Sequence, residues 1–237
     1  MTGWTPKRFW QTVTVQPADG GYIILLDSRP AKTPGKRPLV VPSLAMAKAA
    51  AAEWDAQHGP LKPATMPVTR SINSAIDKVA PQFDEVVNIL AAYGETDLLC
   101  YRATGPVELI ERQNAAWDPL LDWSAQGLHA PLRAVAGVMH IAQPPDSLSR
   151  LRALVQVMTA FQITGFHDLV QLSGSLILAL AVTRQRLSPA EAWRLSRIDE
   201  SWQIEQWGDD EEAAALAEGK RLAFHHAAGF WAMSAPN

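Results

Sequence analysis

A chain of 237 residues, 48% hydrophobic and 19% charged, carries enough apolar material for one large domain or two modest ones, which excludes extensive disorder. Its single cysteine, Cys100, excludes an internal disulfide and fits a reducing compartment as a free, buried thiol. The net charge of −3 is unevenly spread: seven basic residues stand against two acidic ones up to Lys48, whereas Asp199 to Glu218 holds eight carboxylates and no Lys or Arg. Such asymmetry commonly marks only solvated faces, although it can steer a protein partner of complementary potential; it suits nucleic acid poorly. The opening stretch MTGWTPKRFW has neither a secretory pattern nor an Arg- and Ser-rich transit composition, so a bacterial cytoplasmic location is expected.

In chain order, Lys7 to Val15 alternates in the manner of a strand, with Phe9, Gln11, Val13 and Val15 on one side and Trp10, Thr12 and Thr14 on the other. Asp19, Gly20 and Gly21 supply a turn, Tyr22 to Leu26 a returning strand, and Leu39 to Val41, set between Pro38 and Pro42, a short edge. Ser43 is placed to cap a helix running to about Gln57. Thr69 to Lys78 predicts a second, with Ile72, Ala75, Ile76 and Val79 spaced to cover the sheet. The fold class that follows is α+β: a small N-terminal antiparallel sheet with helices over residues 1–80, then a larger all-helical domain over 81–237.

Within the second part, Phe83, Val86, Val87 and Leu90 make one amphipathic helix, and Pro106 opens a longer segment through Trp123. Pro119 is expected to kink or restart that segment, with Asp118 as cap. Leu132 to Pro145 reads as an irregular linker, and Leu148, Leu151, Leu154, Val155 and Met158 resume the helical period. Leu176 to Val182 is apolar on every face but too short for a bilayer, which predicts a buried core helix. Ser188, Pro189 and Glu191 form a capping box with proline at the first position, so a further helix starts there, carrying Leu195, Ile198 and Trp202 toward the core. A last helix spans about Asp210 to Phe230.

Few residues combine into chemistry. Gly35-Lys36 lacks the Ser or Thr and the upstream glycine of a phosphate loop and reads as a tight turn. Ser173-Gly174-Ser175 lacks the flanking glycines of a nucleophile elbow and reads as close packing. His225 and His226 are adjacent, about 100° apart on a helix, and do not form a one-face zinc pair. Asp199, Glu200 and Glu205 could supply an acid and a base, but a solvated helix face accounts for them more simply. No metal or cofactor is expected.

Several separated blocks carry a resemblance: KRFWQTVTV, GGYIILLDSRPAKTPGKRPLVVPS, AAEWDAQ, TMPVTRSINSAID, TDLLCYRA, WDPLLDW, LSGSLILALAV and LSPAEAWRLSRIDESWQIEQWG. In this order, from Lys7 to about Phe230, they resemble the alpha-subunit assembly chaperones of F-type ATP synthase, the Atp-twelve family. The resemblance implies a non-enzymatic chaperone that binds the unassembled alpha subunit, prevents its aggregation and yields it to beta subunits. It also implies a small α+β unit followed by a helical domain, and a mitochondrial matrix location for eukaryotic relatives. The family's functional acidic position falls on Asp199 or Glu200, in SRIDESWQ, and its tryptophan of the EWD block on Trp54, where a structural role competes with partner contact. Asp199, Glu200 and Glu205 with Trp202 and Trp54 are thus the candidate partner-binding residues. Two rival readings are a small-molecule enzyme using the carboxylates around Asp199 and a general holdase without a preferred client.

Overall fold

The computed structural model describes residues Lys7 to Ala235. Packing divides the chain into two compact units. The first takes in residues up to Phe83 together with Thr159–Gly165 and the segment from Gly229 onward; the second comprises Asp84–Met158 and Phe166–Ala228.

The first unit is built on a hairpin. Strands β1 (Val13–Ala18) and β2 (Gly21–Leu26) pair antiparallel with Val13 opposite Leu26 and Ala18 opposite Gly21, leaving Asp19 and Gly20 as a two-residue turn. The strand starts later than its alternation predicts because other bonds hold the preceding residues. The amides of Gln11 and Thr12 both donate to the Asp27 carboxylate, and the Arg8 guanidinium donates to the carbonyls of Trp10, Gln11, Asp55 and Gln57. Strands β3 (Arg29–Pro30) and β4 (Val40–Val41) pair with opposite ends of β2. Lys36, with φ of 64°, sits in a tight turn closed by its amide on the Thr33 carbonyl, as the Gly35-Lys36 reading requires.

Helix α1 (Leu44–Asp55) starts at Ser43, whose hydroxyl accepts the Met46 amide, and it buries Met46, Ala47 and Ala50. Helix α2 (Pro67–Ser74) has no cap of its own; the Glu53 carboxylate of α1 accepts from Val68 and Thr69, both at 2.7 Å. The expected helix through Lys78 continues past Ser74 as a π turn (Ala75–Val79) and then a 3-10 turn (Ala80–Gln82). Trp10, Ile24, Leu26, Leu39, Val41, Met46 and Ile72 form the core, to which the distant Phe230 belongs.

In the second unit, helix α3 (Phe83–Ala92) leads through short turns to β5 (Tyr101–Arg102), and α4 (Val107–Gly127) follows as one uninterrupted helix. Of the kink or restart expected at Pro119, the restart does not occur: the helix runs through it. A proline removes one N–H from a ladder of more than five turns, and buried Trp117 and Leu120 on either side fix the helix in place. Asp118 is no cap; it pairs with Arg102 at 2.8 Å. The stretch read as a linker contains β6 (Val135–Ala136), which pairs in parallel with β5.

Helix α5 (Pro145–Gln156) is followed by α6 (Ala160–Ser173), which the sequence reading did not separate from its neighbours. Gly174, at φ of 69°, ends α6, and the Ser175 hydroxyl accepts the Leu178 amide to cap α7 (Leu176–Thr183). Ser173-Gly174-Ser175 is closely packed, with both serines buried, but as a helix stop and start and not within one continuous helix. Every residue of α7 is buried, as predicted. Asp97, fully buried, locks its N-terminus by accepting from the Ser175 hydroxyl at 2.7 Å, the Ile177 amide at 3.0 Å and the Leu99 amide at 3.0 Å. The predicted capping box at Ser188 is present and opens α8 (Pro189–Leu195). The helix expected to continue from it is broken at Ser196 and Arg197 before α9 (Ile198–Trp207), and α10 (Glu211–Met233) closes the chain.

Candidate functional site

The break between α8 and α9 aims the acidic helix. In a continuous helix the Leu195 carbonyl would accept the Asp199 amide; here it accepts the indole N–H of fully buried Trp117 at 2.9 Å. The Ser196 hydroxyl turns back to the Trp193 carbonyl, and Arg197 leaves helical geometry at φ −117°, ψ 21°. Leu195 and Ile198 of the expected stripe are buried and Trp202 is half-buried, so α9 is seated through its N-terminal end.

Four of the five candidate residues lie together on α9, and α4 supplies the partners of Asp199, Trp202 and Glu205. Asp199 accepts from the Gln113 side-chain amide at 2.6 Å. Gln113 is itself buried, its own carbonyl accepting the Ala103 amide at 2.7 Å, so Asp199 is half-buried at the end of a fixed network. Glu200 pairs at 2.6 Å with Arg197, the residue immediately before α9. Glu205 receives both terminal nitrogens of Arg112, at 2.7 and 2.9 Å, in the bidentate geometry that suits guanidinium and carboxylate. The Arg112 guanidinium also lies over the Trp202 ring, 5.0 Å from its centroid. Hydrogen bonding to Arg112 lowers the Glu205 pKa and raises that of the arginine. Beside this cluster a groove of about 630 Å³ runs between α4 and the α8–α9 pair, lined by Ala115, Ala116, Leu195, Ile198 and the Arg112–Glu205 bridge.

Trp54 belongs to the first unit. It is half-buried, packs against the core cluster and meets Trp10 edge to face at 5.3 Å. Its flanking acids are committed to structure: Glu53 caps α2, and Asp55 pairs with Arg8 at 3.2 Å.

Chemically, this surface offers fixed charges, one stacked aromatic and an apolar groove. A carboxylate clamped by an arginine, as Glu205 is, remains ionised and is ill-suited to giving up a proton near neutrality. Among the described residues, no three His, Cys, Asp or Glu side chains gather closely enough to hold a metal ion. Fixed charges beside an apolar groove are of the kind that can meet another macromolecule. Arg112 and Gln113 were not singled out from the sequence, lying 93 and 86 residues from their partners; only Arg197, three residues before Glu200, has a local signal.

Comparison with known proteins gives a consistent result. Residues 7–125 match the family model described as ATP12 chaperone protein. The crystal structure of Atp12 from Paracoccus denitrificans is similar at a TM-score of 0.94 and 50% identity, over 97% of this chain and 98% of that one. An aspartate-to-lysine variant of the Paracoccus denitrificans protein gives 0.94 at 49% identity over the same shares. A mitochondrial Atp12 protein of Schizosaccharomyces pombe is 25% identical over 219 residues, covering 87% of this chain and 75% of that protein. The chain belongs to the ATP12 chaperone family.

Proposed function

We propose that this chain, a member of a family of ATP synthase assembly chaperones, binds the unassembled alpha subunit of F-type ATP synthase in the bacterial cytoplasm. It holds that subunit from aggregation, without catalysis, until beta subunits replace it. Asp199, Glu200, Trp202 and Glu205 form the contact surface, and Trp54 supports the first unit through Trp10. The observation that carries this reading is the mounting of α9: its core side is anchored by Ile198 and by the Trp117 bond to Leu195, while its carboxylates lie at the surface in fixed orientations. A preorganised charged face of this kind loses little side-chain entropy on docking and selects partners by potential. Capture must outcompete aggregation yet yield to beta, which suits a binding free energy of about −8 to −12 kcal/mol.

The test mixes the full chain with isolated alpha subunit and follows light scattering and co-elution. The parent is expected to keep alpha soluble and to release it when beta is added. Asp199→Lys and Glu200→Lys are expected to lose capture, Glu200→Lys with little change in melting temperature and Asp199→Lys with a lower one, because it leaves the buried Gln113 amide without its acceptor. If both variants bind alpha like the parent, the contact surface lies elsewhere. If the parent protects unrelated proteins equally well, the chain is a general holdase and the named client is wrong.

A further inference from the structure

The three carboxylates assigned to the contact surface are engaged within the chain, by Gln113, Arg197 and Arg112. The acidic segment beyond them is different. Among the described residues, Asp209, Glu211 and Glu212 are exposed and have no ion-pair partner, while Asp210 accepts the amides of Glu212 and Ala213 as the cap of α10. Directly before them stand two apolar side chains that the fold leaves in solvent: Ile204, 47% exposed, and Trp207, 79% exposed, three residues apart and so on one face of α9. A tryptophan this exposed contributes little to its own fold and carries a large area that water disfavours, the property that makes tryptophan the most enriched residue in binding hot spots.

We propose that Ile204 and Trp207, framed by Asp209, Glu211 and Glu212, are the energy-bearing part of the client contact, and that they receive an apolar patch rimmed by lysine or arginine on a folded protein. This rests on the functional reading above and assigns its contacts. The charges choose the occupant. A second copy of this chain would bring the same unpaired carboxylates to the interface, and a bilayer with anionic headgroups would repel them. A basic rim on the partner meets them favourably while Trp207 is covered. The acids would then raise the rate of encounter, and the aromatic would slow escape.

The experiment uses the full chain and isolated alpha subunit at several salt concentrations. Three altered chains are compared with the parent: Trp207→Ala; the combination Asp209→Asn, Glu211→Gln and Glu212→Gln; and Val157→Ser, a control at an apolar position 81% exposed on the same unit. Trp207→Ala is expected to weaken capture about 30-fold or more with an unchanged melting temperature. The charge combination is expected to slow association and flatten its salt dependence, and Val157→Ser to bind as the parent does. A parent that protects alpha while Trp207→Ala protects it equally well overturns this inference and leaves the proposed function standing. A parent that fails to bind alpha overturns the function and the inference with it. Concentration-dependent dimers, or binding to anionic vesicles, that vanish with Trp207→Ala would give this face to another occupant and also overturn the inference.

Discussion

Asp97 offers the sharpest perturbation of the fold. It is fully buried and accepts from two backbone amides, Leu99 and Ile177, and from the Ser175 hydroxyl that caps α7. Asp97→Ala strands the two amides, which cannot turn away, at about 1–3 kcal/mol each, and loosens the Ser175 cap, which is worth about 1 kcal/mol. Partial relaxation and water entry reduce the sum, so the expected loss is about 3–4 kcal/mol, measured by urea unfolding followed by far-ultraviolet circular dichroism. Asp97→Asn adds a test of sign. Burial, opposed by the hydrogen bonds, pushes the Asp97 carboxyl up from 3.8 to about 6, so the folded chain holds a proton that the unfolded chain has released. The associated stability is complete below the unfolded value and is lost as pH rises through the folded one. Relative to Asp97→Asn, the parent should therefore gain roughly 1.4 kcal/mol on going from about pH 7.5 to about pH 5. An alanine variant that loses less than about 1 kcal/mol would refute the locking role of this carboxylate. Parallel pH profiles for parent and Asp97→Asn would refute the burial argument.

Other consequences are simpler. A Cβ on Gly21 would lie 2.1 Å from the Val41 carbonyl oxygen at φ of 143°, so Gly21→Ala should cost roughly 3 kcal/mol in thermal or urea unfolding. Gly20→Ala, at φ of 80° but in open space, should cost about 1 kcal/mol by the same measurement. Ser188→Ala removes a capping box whose hydroxyl serves the Glu191 amide and carboxylate, for an expected loss of about 1 kcal/mol by urea unfolding. Cys100 is fully buried and its thiol is pushed up to about 12, chiefly by burial, so iodoacetamide near pH 8 should leave it unmodified in the folded chain and label it in urea, as read by mass spectrometry.

Local patterns determine much of this molecule because they act over a few residues. The hairpin turn at Asp19-Gly20, the Ser43 cap, the capping box at Ser188 and the buried α7 follow from turn chemistry, capping geometry and apolar composition, each decided within about one turn or one strand. The acidic character of α9 and the burial of Leu195 and Ile198 on either side of the α8–α9 break were likewise legible. Tertiary packing decided the rest. Pro119 passes through α4 because Trp117 and Leu120 hold it, and α8 parts from α9 where the Trp117 indole takes the Leu195 carbonyl, 78 residues away in sequence. The partners of Asp199 and Glu205 come from Gln113 and Arg112, and the core of the first unit is completed by Phe230. None of these pairings leaves a periodic trace, because a contact between residues far apart in sequence depends on where whole elements dock and on no spacing within either of them.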